Sequence, residues 1–283
     1  MISKSGGTAE TMSQFLIFRG RLVQLLGEEG HRDHIVVTTD EENGVLREVV
    51  RREGYESFVV PDGVGGRFSV LSPVGLLSSA LVGIDVKGLL KGAAEMDQRC
   101  RTSELFENPA MLHATVQHLL HEKHGKPIAV MFPYSHRLAD MADWYAQLLA
   151  ESIGKRVDKA GQDVFRGPTP VRAVGVTDQH SQVQLYREGP NDKVIGFLEV
   201  DSFGADTGPI PTGLGVANLE YLEGSTLREL LIAEKRATEY ALNESQRPNY
   251  TIKFPKIDET HIGEFIMLWQ IATAYAGLML NID

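Results

Sequence analysis

The strongest constraint on what this chain can fold into is the alternation of helical and extended patterns between Thr8 and Pro61. From Thr8 to about Leu26, residues Met12, Phe15, Leu16, Phe18, Leu22, Leu25 and Leu26 keep close to helical spacing, which predicts a helix with one buried side. His34 to Thr39 reads as a buried strand. Glu41 to Glu53 reads as a helix ended by Gly54, and Glu56 to Pro61 as a second strand. Helix and strand alternating with short connections predict parallel strands joined by crossovers. Ligands of such sheets bind at the carboxyl ends of the strands, so the loops that follow strands are the first places to look for function.

One such loop runs from Asp62 to Gly75, D-G-V-G-G-R-F-S-V-L-S-P-V-G. Gly63, Gly65 and Gly66 permit positive φ and close approach of another group, directly before Arg67. Ser72 is placed to cap a following helix and Pro73 suits its first position. The spacing therefore predicts Arg67 between a turn and a helix N-terminus, both of which favour anions. Taken alone, the run reads more readily as a tight surface turn with a solvated arginine. A second such loop is Ile2 to Thr11, where hydroxyls on Ser3, Ser5 and Thr8, the N–H groups around Gly6 and Gly7, and Lys4 precede a helix. The P-loop order is absent. An uncharged hydroxyl cradle suits a phosphate monoester on a small molecule better than a magnesium nucleotide. The alternative is that Thr8 only caps the helix.

Val74 to Ile84 and Leu89 to Arg101 read as two helices. A further helix from Asn108 to about Lys123 carries His113 and His118, with His121 and His124 following. Pairs of these are neighbours on a helix face, but no carboxylate or cysteine pattern completes a metal site, so they are expected to be solvated. Pro127 to Pro133 predicts a strand. His136 to about Ser152 predicts a helix with Met141, Trp144, Tyr145 and Leu148 inward. Glu151 lies seven residues after Trp144 and three after Leu148, with Gln147 four before it, which predicts a carboxylate on the apolar side. Partial burial there raises a carboxyl pKa toward that of a proton-abstracting base, while a last-turn Glu reaching solvent is the alternative. Val171 to Thr177 reads as a strand leading to His180 in the first turn of a helix, a position that favours neutral imidazole. Lys193 to Val200 is a strand and Asp201 to Gly215 a Gly/Pro-rich loop. Thr226 to Asn243 is a helix, Asn249 to Phe254 a strand, and Asp258 starts the last helix. Glu229 with Lys235 and Glu234 with Arg236 lack i,i+4 spacing, so no ion pair is expected of them.

Composition narrows the function class. A hydrophobic share of 42% and a charged share of 23% over 283 residues are ordinary for a globular protein. A formal net charge of −10 argues against a nucleic-acid binder or an anionic-membrane binder. Cys100 is the only cysteine, which rules out an intrachain disulfide and suits a cytoplasmic setting. No apolar run is read as reaching the ~20 residues of a membrane span, and the amino terminus lacks the signal-peptide pattern.

Four blocks in order resemble the glucose-6-phosphate isomerase family: Ile2 to Thr11, Asp62 to Gly75, Q-L-L-A-E-S-I-G-K from Gln147 to Lys155, and G-V-T-D-Q-H from Gly175 to His180. The resemblance covers nearly the whole chain. It implies a fold of two doubly wound α/β/α sandwich units of the sugar isomerase (SIS) type with mainly parallel sheets: residues 1–85, a helical connection over 86–107, and residues 108–283. It implies an aldose-ketose isomerase that interconverts glucose 6-phosphate and fructose 6-phosphate without metal or organic cofactor. Ser3, Lys4, Ser5 and Thr8 would then hold the phosphate, with Gly66 and Gln147 as further substrate contacts. Glu151 would be the catalytic base, Arg67 the cation on the enediolate, and His180 the group that opens the ring. In the family that histidine comes from the neighbouring subunit, which implies a homodimer. The family's further lysine, beyond the last helix, has no counterpart before Asp283, and the first unit lacks its beginning. A fragment cut at both ends, weakly active or inactive alone, is the expectation. A non-catalytic sugar-phosphate-binding module and an isomerase that also takes mannose 6-phosphate are the alternatives.

Overall fold

The computed structural model describes residues 1–205, 207–213 and 215–283. It divides into two compact units, Met1–Val86 and Lys87–Asp283.

The first unit contains α1 (Ala9–Gly30), β1 (Val36–Thr39), α2 (Val45–Glu53), β2 (Glu56–Val59) and α3 (Pro73–Leu81). β1 and β2 pair in parallel with Val36 opposite Glu56, as the alternation predicts. Phe15, Val37, Leu46, Val50 and Tyr55 form the core between the helices and this pair. The amino-terminal loop has a short lead-in: Ile2 bridges Thr38 in parallel. Thr38 N–H donates to the Met1 carbonyl at 2.7 Å, and Ser3 N–H donates to the Thr38 carbonyl at 3.0 Å.

The predicted buried side of α1 is corrected. Only Phe15 is buried, while Leu16, Phe18 and Leu25 are exposed. The apolar residues of α1 spread around too wide an arc for one sheet edge to cover. Gly27, at φ 77°, interrupts the helix where the apolar pattern ends. α2 starts later than Glu41 because Asp40 Oδ1 captures the N–H groups of Glu42 and Asn43, an Asx turn that competes with helix. It ends at Gly54 in the left-handed region, as the sequence predicts.

The second unit contains α4 (Val86–Arg99), α5 (Pro109–His124), β3 (Ile128–Pro133), α6 (Ala139–Ile153), β4 (Lys155–Val157), β5 (Asp163–Arg166), β6 (Thr169–Arg172), α7 (Gln179–Glu188), β7 (Lys193–Ser202), α8 (Leu227–Glu244), β8 (Asn249–Lys256) and α9 (Glu259–Met279). The main sheet runs β6-β3-β7-β8, every neighbouring pair parallel. β4 and β5 form an antiparallel pair that the sequence does not announce. The helix starts follow their caps: Asn108 accepts from Met111 N–H, Thr226 forms a capping box with Glu229, and Asp258 accepts from His261 N–H. Of the expected Gly/Pro-rich loop, Asp206 and Leu214 lie outside the described residues. Val130, Phe132, Tyr134, Ile195, Phe197 and Leu242 make the core.

Two expectations change here. By length and composition α9 is apolar enough to cross a membrane. In the fold its Phe265, Ile266, Trp269 and Ala272 are buried, and the helix packs against α5, α6 and β8. The histidines of α5 are also not all solvated. The His113 ring sits between Tyr250 and Trp269, with centroids 5.0 and 4.5 Å away, and burial lowers its pKa to about 4. It lines a cavity of about 50 Å³ with His118, Tyr145, Trp269 and Thr273. No group of three or more metal-ligating side chains occurs among the described residues.

Candidate active site

In the first unit the Ser3 to Thr8 segment turns at the carboxyl end of β1 and runs into α1. Ser3 Oγ accepts from Gly6 N–H at 3.1 Å, and Ser5 Oγ from Gly7 N–H at 3.3 Å. The Lys4 carbonyl accepts from the Thr39 hydroxyl at 3.2 Å and from Asp40 N–H at 3.3 Å, which fastens the segment to the end of the strand. Gly6 has φ +64°, and a Cβ there would lie 2.3 Å from the Leu46 nitrogen. Only glycine lets α2 approach this closely. Thr8 occupies the N-cap position of α1, but its side chain makes no capping hydrogen bond. The reading of Thr8 as a simple capping residue therefore fails, and its hydroxyl borders an open pocket instead. That pocket, about 650 Å³, is lined by Ser3, Lys4, Ser5 and Thr8.

Thr11, the last residue of the first block, lines the same pocket, as do Asp40, Asn43 and Gly44, which carry no motif that marks them in the sequence. The rule that ligands sit beyond strand ends points to Asp40, which follows β1 directly. Its capture of two backbone N–H groups explains a carboxyl held below the usual range.

The second glycine loop meets the cradle through Lys4, whose Nζ donates to the Val64 carbonyl at 3.1 Å. Only Gly63 of the three uses positive φ, at 76°. Space for a Cβ is open at Gly65 and Gly66, so their backbone is approachable. Arg67 lies in a 3-10 turn, Gly66–Leu71, rather than at the start of α3. Its guanidinium carbon is 5.9 Å from the Phe68 ring centroid. α3 itself begins as predicted, with Ser72 accepting from Val74 N–H and Pro73 first.

In the second unit, Gln147 and Glu151 lie one turn apart on the same face of α6, and both are exposed. The expectation of a partly buried Glu151 is corrected. Ala142, Tyr145, Leu148, Leu149 and Ile153 are buried and Trp144 is half-buried, so the buried arc includes Leu148 but does not extend to Gln147 or to Glu151 in the last turn. His180 falls in the first turn of α7 as predicted, is exposed, and its N–H donates to the Thr177 carbonyl at 3.2 Å.

That turn is anchored on both sides of His180. The Tyr134 hydroxyl donates to Gln179 Oε1 at 2.7 Å. Asp178 accepts from Val174 N–H at 2.8 Å through one oxygen and from the Ser181 hydroxyl at 2.8 Å through the other. Burial pushes the Asp178 carboxyl up, but the hydrogen bonds from Ser181, Val174 and Gln182 outweigh it and hold it below its ordinary value. Gly175 lies on the Tyr134 ring, where a Cβ would come within 2.7 Å. Burial raises the Tyr134 phenol to about 12, which keeps it a neutral donor.

The two units thus present distinct sets. The first joins a hydroxyl and N–H cradle to the approachable backbone before Arg67. The second sets Gln147 beside Glu151 on one helix and holds His180 at the start of another.

A family model described as phosphoglucose isomerase matches residues 1–202. The chain is 50% identical to a glucose-6-phosphate isomerase of Carboxydothermus hydrogenoformans over 283 residues, covering 100% of this chain and 61% of that protein. It is 42% identical to a glucose-6-phosphate isomerase of Rubrobacter xylanophilus, covering 100% and 63%. A crystal structure of a hypothetical protein from Thermus thermophilus superposes with a TM-score of 0.91 at 40% identity, covering 99% of this chain and 66% of that one. A glucose-6-phosphate isomerase structure from Chlamydia trachomatis shares the fold, with a TM-score of 0.84 at 24% identity over 100% of this chain and 55% of that one. The chain spans less than two thirds of the length of each of these relatives. By the family match over 1–202 and these identities, the chain belongs to the phosphoglucose isomerase family.

Proposed function

We propose that this chain carries the substrate-handling residues of an isomerase that interconverts glucose 6-phosphate and fructose 6-phosphate. The observation that carries the reading is the tie between Lys4 and Val64, which joins the hydroxyl cradle to the glycine loop before Arg67. A phosphate ester gripped by Ser3, Lys4, Ser5 and Thr8 holds the sugar chain at a fixed reach from the reacting carbons, with Gly66 and Gln147 as further contacts. His180 assists ring opening. Glu151 takes the proton from C2 of the open-chain aldose, the electrons pass into an enediolate that Arg67 stabilises, the hydroxyl proton passes from O2 to O1, and the carbon-bound proton returns at C1 to give the ketose. In the reverse direction the same carboxylate moves the proton from C1 to C2.

The assembly that fits is a cytoplasmic homodimer in which His180 completes the neighbouring subunit's site. Residues 1–85 and 108–283 act as two SIS-type units joined through 86–107.

The test is Glu151→Gln beside wild type, both in chains extended to the length of the family's full members. Turnover of fructose 6-phosphate falls by at least about a thousandfold, as for loss of a general base, while its binding is unchanged. Full turnover by the variant overturns the reading. Binding of sugar phosphate by wild type without any turnover identifies a binding module instead.

A further inference from the structure

Arg47, on α2, is 7% exposed. A guanidinium cannot shed its charge, so burying one calls for compensation. Its Nε donates to the Asp40 carbonyl at 2.7 Å and its Nη1 to Ser57 Oγ at 3.0 Å, both neutral acceptors. Its Nη2 is buried without a hydrogen-bond partner. The anion that feels its charge is the Asp40 carboxylate, with which it makes no hydrogen bond, so the charge is only partly compensated within the chain.

Its place explains where that charge acts. Asp40 is the hub of the pocket wall: its carbonyl takes Arg47, its N–H holds the Lys4 carbonyl, and its carboxylate closes the turn to Asn43. The first turn of α2 presses on the cradle. A Cβ on Gly44 would meet the Ser5 carbonyl oxygen at 2.4 Å, and one on Gly6 would meet Leu46. Asn43 and Gly44 line the pocket alongside Thr8 and Thr11, so the N-termini of α1 and α2 both border it. Lys4, the cation inside the pocket, has its ammonium engaged with Val64. A dianion entering here finds two helix N-termini and one buried guanidinium behind the wall, and the Lys4 and Arg47 charges offset the Asp40 carboxylate that also lines the pocket.

We propose that Arg47 is a positioning residue for a phosphate-ester dianion, holding the Asp40–Gly44 turn against the Ser3–Thr8 cradle and supplying positive potential from behind it. The proposal rests on the pocket being the phosphate cradle. Arg47 touches no ligand; it acts through Asp40 and through its field.

Titration calorimetry of fructose 6-phosphate and of inorganic phosphate against the 283-residue chain, at low and at high ionic strength, tests this. Arg47→Met weakens binding of both about tenfold at low salt, the size expected for a charge several ångströms from the anion. The dependence of affinity on salt becomes shallower as well. Arg47→Lys restores affinity to within about threefold of wild type and restores the salt slope, because charge is kept while the fork is lost. Circular dichroism confirms folding of each variant. Should Arg47→Met not fold, Arg47→Gln takes its place as the charge-removing variant: the same weakening and shallower salt slope support the proposal, and wild-type affinity overturns it. A folded Arg47→Met with wild-type affinity, or Met and Lys variants equally weakened with an unchanged salt slope, also overturns it. If wild type binds neither fructose 6-phosphate nor phosphate, the cradle reading itself fails and the proposal falls with it.

Discussion

Single residues here are set by what their neighbours leave them. Thr8 stands where a cap belongs yet makes no capping bond, so its hydroxyl remains available at the pocket. Glu151 stands where spacing from Trp144 and Leu148 suggests burial, yet is exposed, because the buried arc that takes in Leu148 does not reach Glu151 in the last turn of the helix. Gly175 is the sharpest case. A methyl at that position meets the Tyr134 ring at 2.7 Å, and Tyr134 holds Gln179 next to His180. Gly175→Ala is therefore expected to cost about 1–3 kcal/mol, as overpacking does. It should also loosen the first turn of α7. Urea unfolding gives the first effect, and faster amide exchange at Gln179 and His180 gives the second. His113 carries a pH effect. Its ordinary pKa of 6.5 falls to about 4 when buried neutral between Tyr250 and Trp269. A depressed folded-state pKa means stability that is present above 6.5 and lost as pH drops through 4, a span worth about 3 kcal/mol. His113→Phe should flatten the fall in unfolding free energy between pH 6.5 and 4, measured by denaturant titration at each pH.

Elements are legible in the sequence where pattern and punctuation agree. β1, β2, β3, β7 and β8 follow from runs of apolar residues, and α3, α5, α8 and α9 start at the capping residues the sequence displays. β4 and β5 are not legible, being short, mostly exposed, and without an apolar run. The outward side of α1 defeats the pattern because periodicity reports what is available to bury and not what the sheet can cover. The ion pairing of Lys235 is hidden as well. Its i,i+4 partner Glu239 lies at 2.8 Å, but its second partner, Glu199 at 3.0 Å, comes from β7, a tertiary contact no local spacing displays. The crossing of α4 with α9 likewise depends on glycines that look ordinary in sequence. A Cβ on Gly92 would meet the Thr260 carbonyl oxygen at 1.8 Å, and one on Gly263 the Leu89 oxygen at 2.0 Å. Gly92→Ala should lower stability by about 2 kcal/mol or more by forcing the helices apart, read as a drop in the urea midpoint at unchanged helix content.

For the whole molecule, the four family blocks spell out the candidate site in the sequence itself, because each uses residues whose chemistry is local: hydroxyls, glycines, a cation, a carboxylate and an imidazole. What lies outside them, Asp40 and Arg47 above all, depends on strand ends and helix starts meeting in three dimensions. The central claim is that Glu151 moves the proton while the cradle holds the phosphate. It is tested most directly by following conversion of fructose 6-phosphate to glucose 6-phosphate in a coupled assay, with wild type and Glu151→Gln each extended to the length of the family's full chains. Turnover by wild type, and its loss in the variant with fructose 6-phosphate binding intact, is the expected result. Undiminished turnover in Glu151→Gln would contradict it.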